Sequence, residues 1–335
     1  MEQPVSRPSP LLEIREISKH YEIGSGFLGR NKQVLKAVDR VDLTVYQGET
    51  LGIVGESGCG KSTLGNLMMQ LTDATSGTIT FDNTPFSQLS REMLRRKRRD
   101  IQMIFQDPFS SLNPRLKIFD ILAEPLRTHR IAEGRQLTER VHELLEAVGL
   151  PLQSADRYPH QFSGGQRQRV GIGRALALKP KLIVCDEPVS ALDVSIQSQI
   201  LNLLAKLQKD YQLTYVFIAH GIPAVAYISD RIAVMYFGRI VEIADKRALI
   251  ERPAHPYTEG LMASVPISAP EQRGRKKGLV GETPNPFQPP SGCVFHPRCP
   301  YAQQRCSAEA PSLAPLADGR LAACHYPLNQ GGVRS

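Results

Sequence analysis

The sequence predicts an α/β protein with a largely parallel sheet built around a phosphate-binding loop. Three observations carry this. Short apolar strands alternate with stretches of helical spacing, as in Lys181–Cys185 followed by Ile196, Ile200, Leu203, Leu204 and Leu207. A glycine-rich loop lies between a strand and a helix. A later apolar strand ends in two adjacent carboxylates, Asp186 and Glu187.

The loop is the most specific of the three. Thr50–Val54 reads as a buried strand, and Leu64, Leu67 and Met68 give helical spacing after it. Between them Gly55, Glu56, Ser57, Gly58, Cys59, Gly60, Lys61 and Ser62 fit G-x-x-x-x-G-K-[ST], with Thr63 next. Such a loop sets backbone N–H groups and a positive helix end around phosphates. Lys61 is then expected to reach the β- and γ-phosphates and the Ser62 hydroxyl to ligate Mg²⁺. An ordinary glycine turn leaves Gly60-Lys61-Ser62 unexplained.

Composition sets the outer limits. The 335 residues give room for a large core and an appendage, with 41% hydrophobic and 22% charged residues. No apolar run approaches the roughly 18 residues of a membrane span. The N-terminus lacks the basic-then-apolar pattern of a signal peptide, which predicts a cytoplasmic protein. A net charge of +8 is concentrated in Arg95–Arg99 and in Arg273, Arg275, Lys276 and Lys277. Aromatic residues are not interleaved with these runs, so no nucleic-acid partner is expected. Each run reads as solvated surface, or, for Arg95–Arg99, as a face turned to the membrane.

Elements follow in order. Leu12–Ile17 and Val41–Tyr46 alternate as strands of an N-terminal β region, and Thr78–Asp82 and Ile101–Phe105 are further strands. Thr138 is placed to cap a helix carrying Val141, Leu144, Leu145 and Val148, with Gly149 and Pro151 ending it. Thr214–Ile218 reads as a buried strand, and Ile232–Met235 with Ile240–Ile243 as a hairpin around Gly238. From about residue 250 the character changes. Residues 284–300 hold six prolines, which predicts an irregular C-terminal extension.

Four further stretches narrow the function. Asp186, at a strand end, is suited to hold Mg²⁺, and Glu187 to polarise an attacking water. Ser163, Gly164, Gly165 and Gln166 open a predicted helix and form a second anion site. Gln106 follows one strand and His220 ends another, where sites form beyond the carboxyl ends of a parallel sheet.

In this order the set resembles the nucleotide-binding domain of ATP-binding cassette (ABC) transporters. The resemblance implies an adenine-stacking aromatic at Tyr21 (core packing being the other reading of that ring), a Walker A loop over 55–62 and a Q-loop at Gln106. It further implies the signature Ser163–Gln166, Walker B ending at Asp186, the catalytic Glu187, the D-loop Ser190–Asp193 and the switch His220. Catalysis would fall to Glu187, His220 and Gln106, and Mg²⁺ to Ser62, Gln106 and Asp186. The implied fold is a P-loop NTPase cassette with an N-terminal β region, a helical subdomain and an irregular Cys/Pro-rich extension. The expected boundaries are 11–106 with 166–250 for the core, 107–165 for the helical subdomain and 251–335 for the extension. One departure stands out: Gly221 follows the switch histidine where the family usually has Asp.

Phe105–Arg115, Phe162–Arg169 and His255–Thr258 resemble the oligopeptide/dipeptide branch of importers, particularly its F-type ATPase subunit. That resemblance implies ATP-driven peptide uptake at the cytoplasmic face of the cell membrane, with this chain as a peripheral subunit. The expected partners are a second cassette subunit forming a heterodimer, two transmembrane permeases and an extracytoplasmic solute-binding protein. Head-to-tail closure on two ATP molecules would lend Ser163 and its glycines to the partner's nucleotide. A soluble cassette ATPase acting on nucleic acid or ribosomes is the rival reading. Those proteins usually carry two cassettes or a long coiled-coil insert, and neither is seen here. A degenerate, inactive cassette is opposed by Glu187, His220 and the intact signature.

Cysteines divide unevenly. Cys59 and Cys185 read as small buried residues, while Cys293, Cys299, Cys306 and Cys324 cluster late with spacing C-x5-C-x6-C-x17-C. Zinc sites favour closer pairs. Wide spacing in a proline-stiffened loop suits a [4Fe–4S]-type cluster, with zinc and free thiols as alternatives. His296 and His325 are either substitute ligands or surface residues.

Overall fold

Ile101–Ile104, Leu182–Asp186 and Thr214–Ala219 lie side by side as parallel strands, with Ile101 opposite Leu182 and Leu182 opposite Thr214. Every residue of Leu182–Asp186 is buried, as the unbroken apolar run requires of a strand covered on both faces. Parallel neighbours need long crossovers. Helices Ile118–Thr128, Gly134–Ala147 and Gly164–Leu176 fill the first, and Val194–Tyr211 the second. The computed structural model describes residues 9–24, 33–264, 279 and 281–329. The basic run 273–277 lies outside them.

These strands belong to the first of two compact units, which takes in Val45–Thr50 and Asp82–Ile218 with the opening residues of the first strand up to Leu11. Its helix Gly134–Ala147 begins one turn before the expected Thr138 cap. Leu137 extends the stripe of Val141, Leu144 and Leu145 backwards at i−4 and is itself buried, so the apolar face decides the start. The C-terminus falls as expected, at Gly149 with φ +69°. In the basic run, helix Arg91–Lys97 is capped by Ser90 and buries none of its residues. Lys97 joins Lys181 on Asp82, at 3.3 and 2.7 Å.

The second unit takes in Leu12–Thr44, Leu51–Phe81 and the described residues from Ala219 onward. Here Leu51–Val54 pairs in parallel with Arg231–Val234. Arg231–Tyr236 and Arg239–Asp245 form the expected antiparallel hairpin. Its turn, Phe237–Gly238, has positive φ at both residues (+50° and +80°), the form that matches strand twist. The N-terminal strands are longer than their alternation suggested: Pro10–Ile23 and Gln33–Tyr46. The first of them pairs antiparallel with Ser76–Phe81, Leu12 opposite Phe81.

The extension is less irregular than its prolines imply. Leu321–Ala322 pairs with Ile243 and Glu242 of the hairpin, and Ala314–Pro315 pairs with that strand in turn. Helices Pro256–Ala263 and Gln304–Ala308 flank the proline-rich stretch. Among the described residues no helix is long and apolar enough to cross a membrane.

Candidate nucleotide site

In the second unit the phosphate loop leads from Thr50–Val54 into helix Lys61–Met68. Gly60 precedes the helix at φ +104°, and a Cβ there would collide with the Ala37 carbonyl oxygen. Gly55 is held as tightly, against the Met235 carbonyl oxygen. The loop's path therefore depends on glycine at two of its positions. Lys61 is 3% exposed. Its Nζ donates to the carbonyl oxygens of Gly55 (2.8 Å) and Glu56 (3.0 Å) and stands 3.3 Å from His220 Nδ1. The ammonium and the histidine are thus already neighbours. Cys59 is buried, 3.8 Å from Lys61 Nζ, and burial pushes its thiol up, so it remains a neutral side chain.

His220 is followed by Gly221, which takes the N-cap position of helix Ile222–Ile228 at φ −91°, ψ 120°. Pro223 sits in the first turn, where its missing N–H costs nothing. The helix start is preserved without an acidic cap; glycine in that position costs only a few tenths of a kcal/mol.

In the first unit Asp186 ends the strand Leu182–Asp186 and Glu187 follows it, 7% and 3% exposed. Glu187 has φ +49°, a strained left-handed backbone for a residue with a side chain. Its N–H donates to the Ile218 carbonyl and its own carbonyl accepts from Ser190. These contacts hold the strained turn. Gln106 Nε2 donates to Glu187 Oε2 at 2.8 Å, so two residues 81 positions apart meet.

Ser163 caps helix Gly164–Leu176. Its Oγ accepts from the Gln166 N–H, and the Gln166 side chain accepts from the Ser163 N–H. A Cβ on Gly165 would meet the Ile196 side chain, so a bare backbone is needed where this helix crosses its neighbour. Arg167 stacks over Phe109 at 4.0 Å, joining the signature helix to the stretch after Gln106. Tyr21 is 37% exposed with Lys19 Nζ 5.1 Å from its ring centre, so it is not a core residue.

Two residues at the loop escaped sequence reasoning. The Glu56 N–H donates to the Tyr257 hydroxyl at 2.9 Å, and its carboxylate is gripped by Arg298. His255-Pro256-Tyr257-Thr258 carries a family resemblance, but nothing in one sequence tells which residue about 200 positions away a side chain reaches. His255 itself is buried, its Nδ1 accepting from the Tyr257 N–H at 3.0 Å. Burial holds its pKa down at about 3, so the ring is neutral.

The four late cysteines line one cavity of about 10 Å³ with His296 and His325. That volume is about one water-sized sphere. Burial pushes the thiols of Cys293 and Cys299 up, and that of Cys324 to about 11. Among the described residues, no group of three or more His, Cys, Asp and Glu side chains has an arrangement that holds a metal ion. The donor set is that of a soft metal. The space does not take four irons and four sulfides without the walls moving apart.

The strand–loop–helix, the carboxylate-ended strand and the capped signature helix define an ATP-binding cassette ATPase. A family model described as "ABC transporter" matches residues 38–190, and one described as "Oligopeptide/dipeptide transporter, C-terminal region" matches 241–306. A probable peptide ABC transporter ATP-binding protein of Sinorhizobium fredii is 51% identical over 94% of this chain and 89% of its own length. An oligopeptide transport ATP-binding protein of Bacillus subtilis is 50% identical over 94% of this chain and 97% of its own. Among solved structures, a dimeric ATP-binding cassette in a post-hydrolysis state bound to ADP and Pi aligns with TM-score 0.63 at 31% identity. It covers 71% of this chain and 99% of that one. The chain belongs to the ABC transporter ATP-binding proteins, in the branch that carries the oligopeptide/dipeptide C-terminal region.

Proposed function

We propose that this chain is the ATP-hydrolysing subunit of an importer for peptides or related small solutes, peripheral at the cytoplasmic face of the membrane. The observation that carries the ATPase reading is Lys61, buried at the mouth of a helix-opening loop with its ammonium turned onto the loop carbonyls. A buried cation so placed exchanges carbonyl oxygens for phosphate oxygens. The cargo class rests on the names of relatives that match along nearly the whole chain.

In this reading the amides of residues 55–63 cradle the phosphates, Lys61 takes the β- and γ-oxygens, and Tyr21 stacks on the base. Ser62, Gln106 and Asp186 are the residues that would hold Mg²⁺, and the ion would neutralise charge on the transferring phosphoryl group. Glu187 orients water and accepts its proton, with Gln106 fixing the carboxylate and His220 sensing the γ-phosphate. Ser163, Gly164, Gly165 and Gln166 bind the γ-phosphate of the nucleotide held by a second, different cassette subunit. Two permeases and a solute-binding protein complete the assembly and select the cargo. Reconstitution with these partners tests the whole. ATP hydrolysis stimulated by di- or oligopeptides is expected, and a system indifferent to every peptide length removes the cargo assignment.

For the cysteine-lined cavity the reading is an iron–sulfur centre that staples the extension once the walls have moved apart from the closed packing described above, supported by four thiols converging from positions 293 to 324. Anaerobically purified protein should contain iron and acid-labile sulfide. Colourless, iron-free protein removes the cluster.

A further inference from the structure

Glu56, the second residue of the phosphate loop, is held by an arginine 242 positions away. Arg298 Nη1 donates to Glu56 Oε2 at 2.7 Å and Nη2 to Oε1 at 3.0 Å, the parallel fork that guanidinium makes with carboxylate. The Arg298 side chain is 5% exposed and that of Glu56 27%. Arg298 Nη1 also lies 3.4 Å from the Tyr236 hydroxyl.

Arg298 is itself fixed. It ends the short 3₁₀ turn His296–Arg298, its N–H donating to the Phe295 carbonyl at 3.0 Å, and Cys299 follows directly. Phe295 is 1% exposed and packs edge-on against Tyr236 and Tyr257, at 5.3 and 5.4 Å between ring centres. Tyr257 in turn takes the Glu56 N–H. Glu56 is therefore gripped at its carboxylate and at its main chain by one packed group. Its carbonyl oxygen meanwhile accepts from Lys61 Nζ. A displacement of Glu56 moves a partner of the loop lysine.

The geometry points to Arg298 as a positioning residue of the phosphate loop, by which the C-terminal extension sets the loop's shape and its affinity for the phosphates of ATP. This rests on the nucleotide-binding reading above. Two physical effects run the same way. The fork fixes the loop's second residue, and the guanidinium neutralises a carboxylate that would otherwise face an incoming polyanion from close by.

The test uses the full chain with Arg298→Gln and Arg298→Lys. Amide hydrogen exchange over residues 55–62 is measured without nucleotide, and ATP affinity and steady-state kinetics with it. Arg298→Gln should speed exchange in the loop and raise both Kd and KM for ATP roughly three- to tenfold, with kcat within about twofold. Arg298→Lys, which keeps the charge and loses the fork, should recover most of the affinity and little of the exchange protection. Wild-type exchange and wild-type Kd in folded Arg298→Gln would overturn the proposal. If Arg298→Gln does not fold, Glu56→Gln is put to the same exchange measurement and must loosen the loop. Wild-type protein that binds no ATP would remove the nucleotide reading, while loop exchange would still decide whether Arg298 positions the loop.

Discussion

Lys61 Nζ and His220 Nδ1 lie 3.3 Å apart, so the loop cation and the histidine ending a distant strand share one contact. The same ammonium is satisfied by two loop carbonyls. Removing it therefore deletes the organiser of the loop and, in the proposed function, the phosphate partner with it. Lys61→Ala should weaken ATP binding by more than about tenfold, the worth of one charge-assisted contact, and abolish hydrolysis. Equilibrium binding and phosphate release check this; unchanged ATPase activity contradicts it.

Glu187→Gln is nearly isosteric, and its amide oxygen can still accept from Gln106. The change isolates the carboxylate's basicity from the geometry around it. Hydrolysis should fall at least about 100-fold, the usual share of a general base, while ATP binding persists. Turnover in the reconstituted transporter that survives undiminished refutes the assignment of Glu187.

Ser163→Ala removes one half of the capping box and leaves Gln166 still able to reach the residue-163 N–H. The expected loss is about 1 kcal/mol, which in a chain of this size lowers Tm by roughly 2 °C. A fall in ATPase activity well beyond that loss, measured with the partner cassette present, would mark the hydroxyl as a nucleotide contact. An ATPase loss no greater than the stability loss would confine Ser163 to capping.

His255 predicts a pH dependence. Its folded pKa of about 3 lies below the ordinary value of 6.5, so the unfolded chain binds the extra proton in between. The stability it contributes is whole above pH 6.5 and declines as pH falls towards 3, by about 1.4 kcal/mol per pH unit at most. Glu242, whose carboxylate accepts from the His255 N–H, is shifted up by burial and acts in the opposite sense near and above 4.5. Comparison with His255→Asn cancels the Glu242 contribution, since Asn Oδ1 can replace Nδ1 as the cap. Between pH 6.5 and 4.5 the variant should lose stability more slowly with acid. Denaturant melts giving identical slopes would show that the ring is not buried neutral.

Most of the fold was legible because it rests on local pattern. An apolar run such as Leu182–Asp186 has one stable place, inside a parallel sheet, and Gly60-Lys61-Ser62 has one common use. Gln106 and Glu187 each read as following a strand, and they meet because those strands, Ile101–Ile104 and Leu182–Asp186, lie side by side in parallel; the hydrogen bond itself left no mark in the sequence. The helix start at Gly134 was misread because a plausible cap at Thr138 competed with burial of Leu137, and burial prevailed. The grip of Arg298 and Tyr257 on Glu56 was hidden, because long-range side-chain contacts leave no periodicity. The strand pairing of the extension was obscured by prolines that sit before it.

The short strand Leu321–Ala322 lies along Glu242 and Ile243 of the hairpin. It serves as a guard on a sheet margin that would otherwise offer unpaired N–H and C=O groups to any extended chain. Trimming the protein before residue 314 to obtain a minimal ATPase would expose that margin, and the shortened protein would tend to stick to itself. The short strand pair Ala314–Pro315 and Leu321–Ala322 thus acts as insulation along that margin.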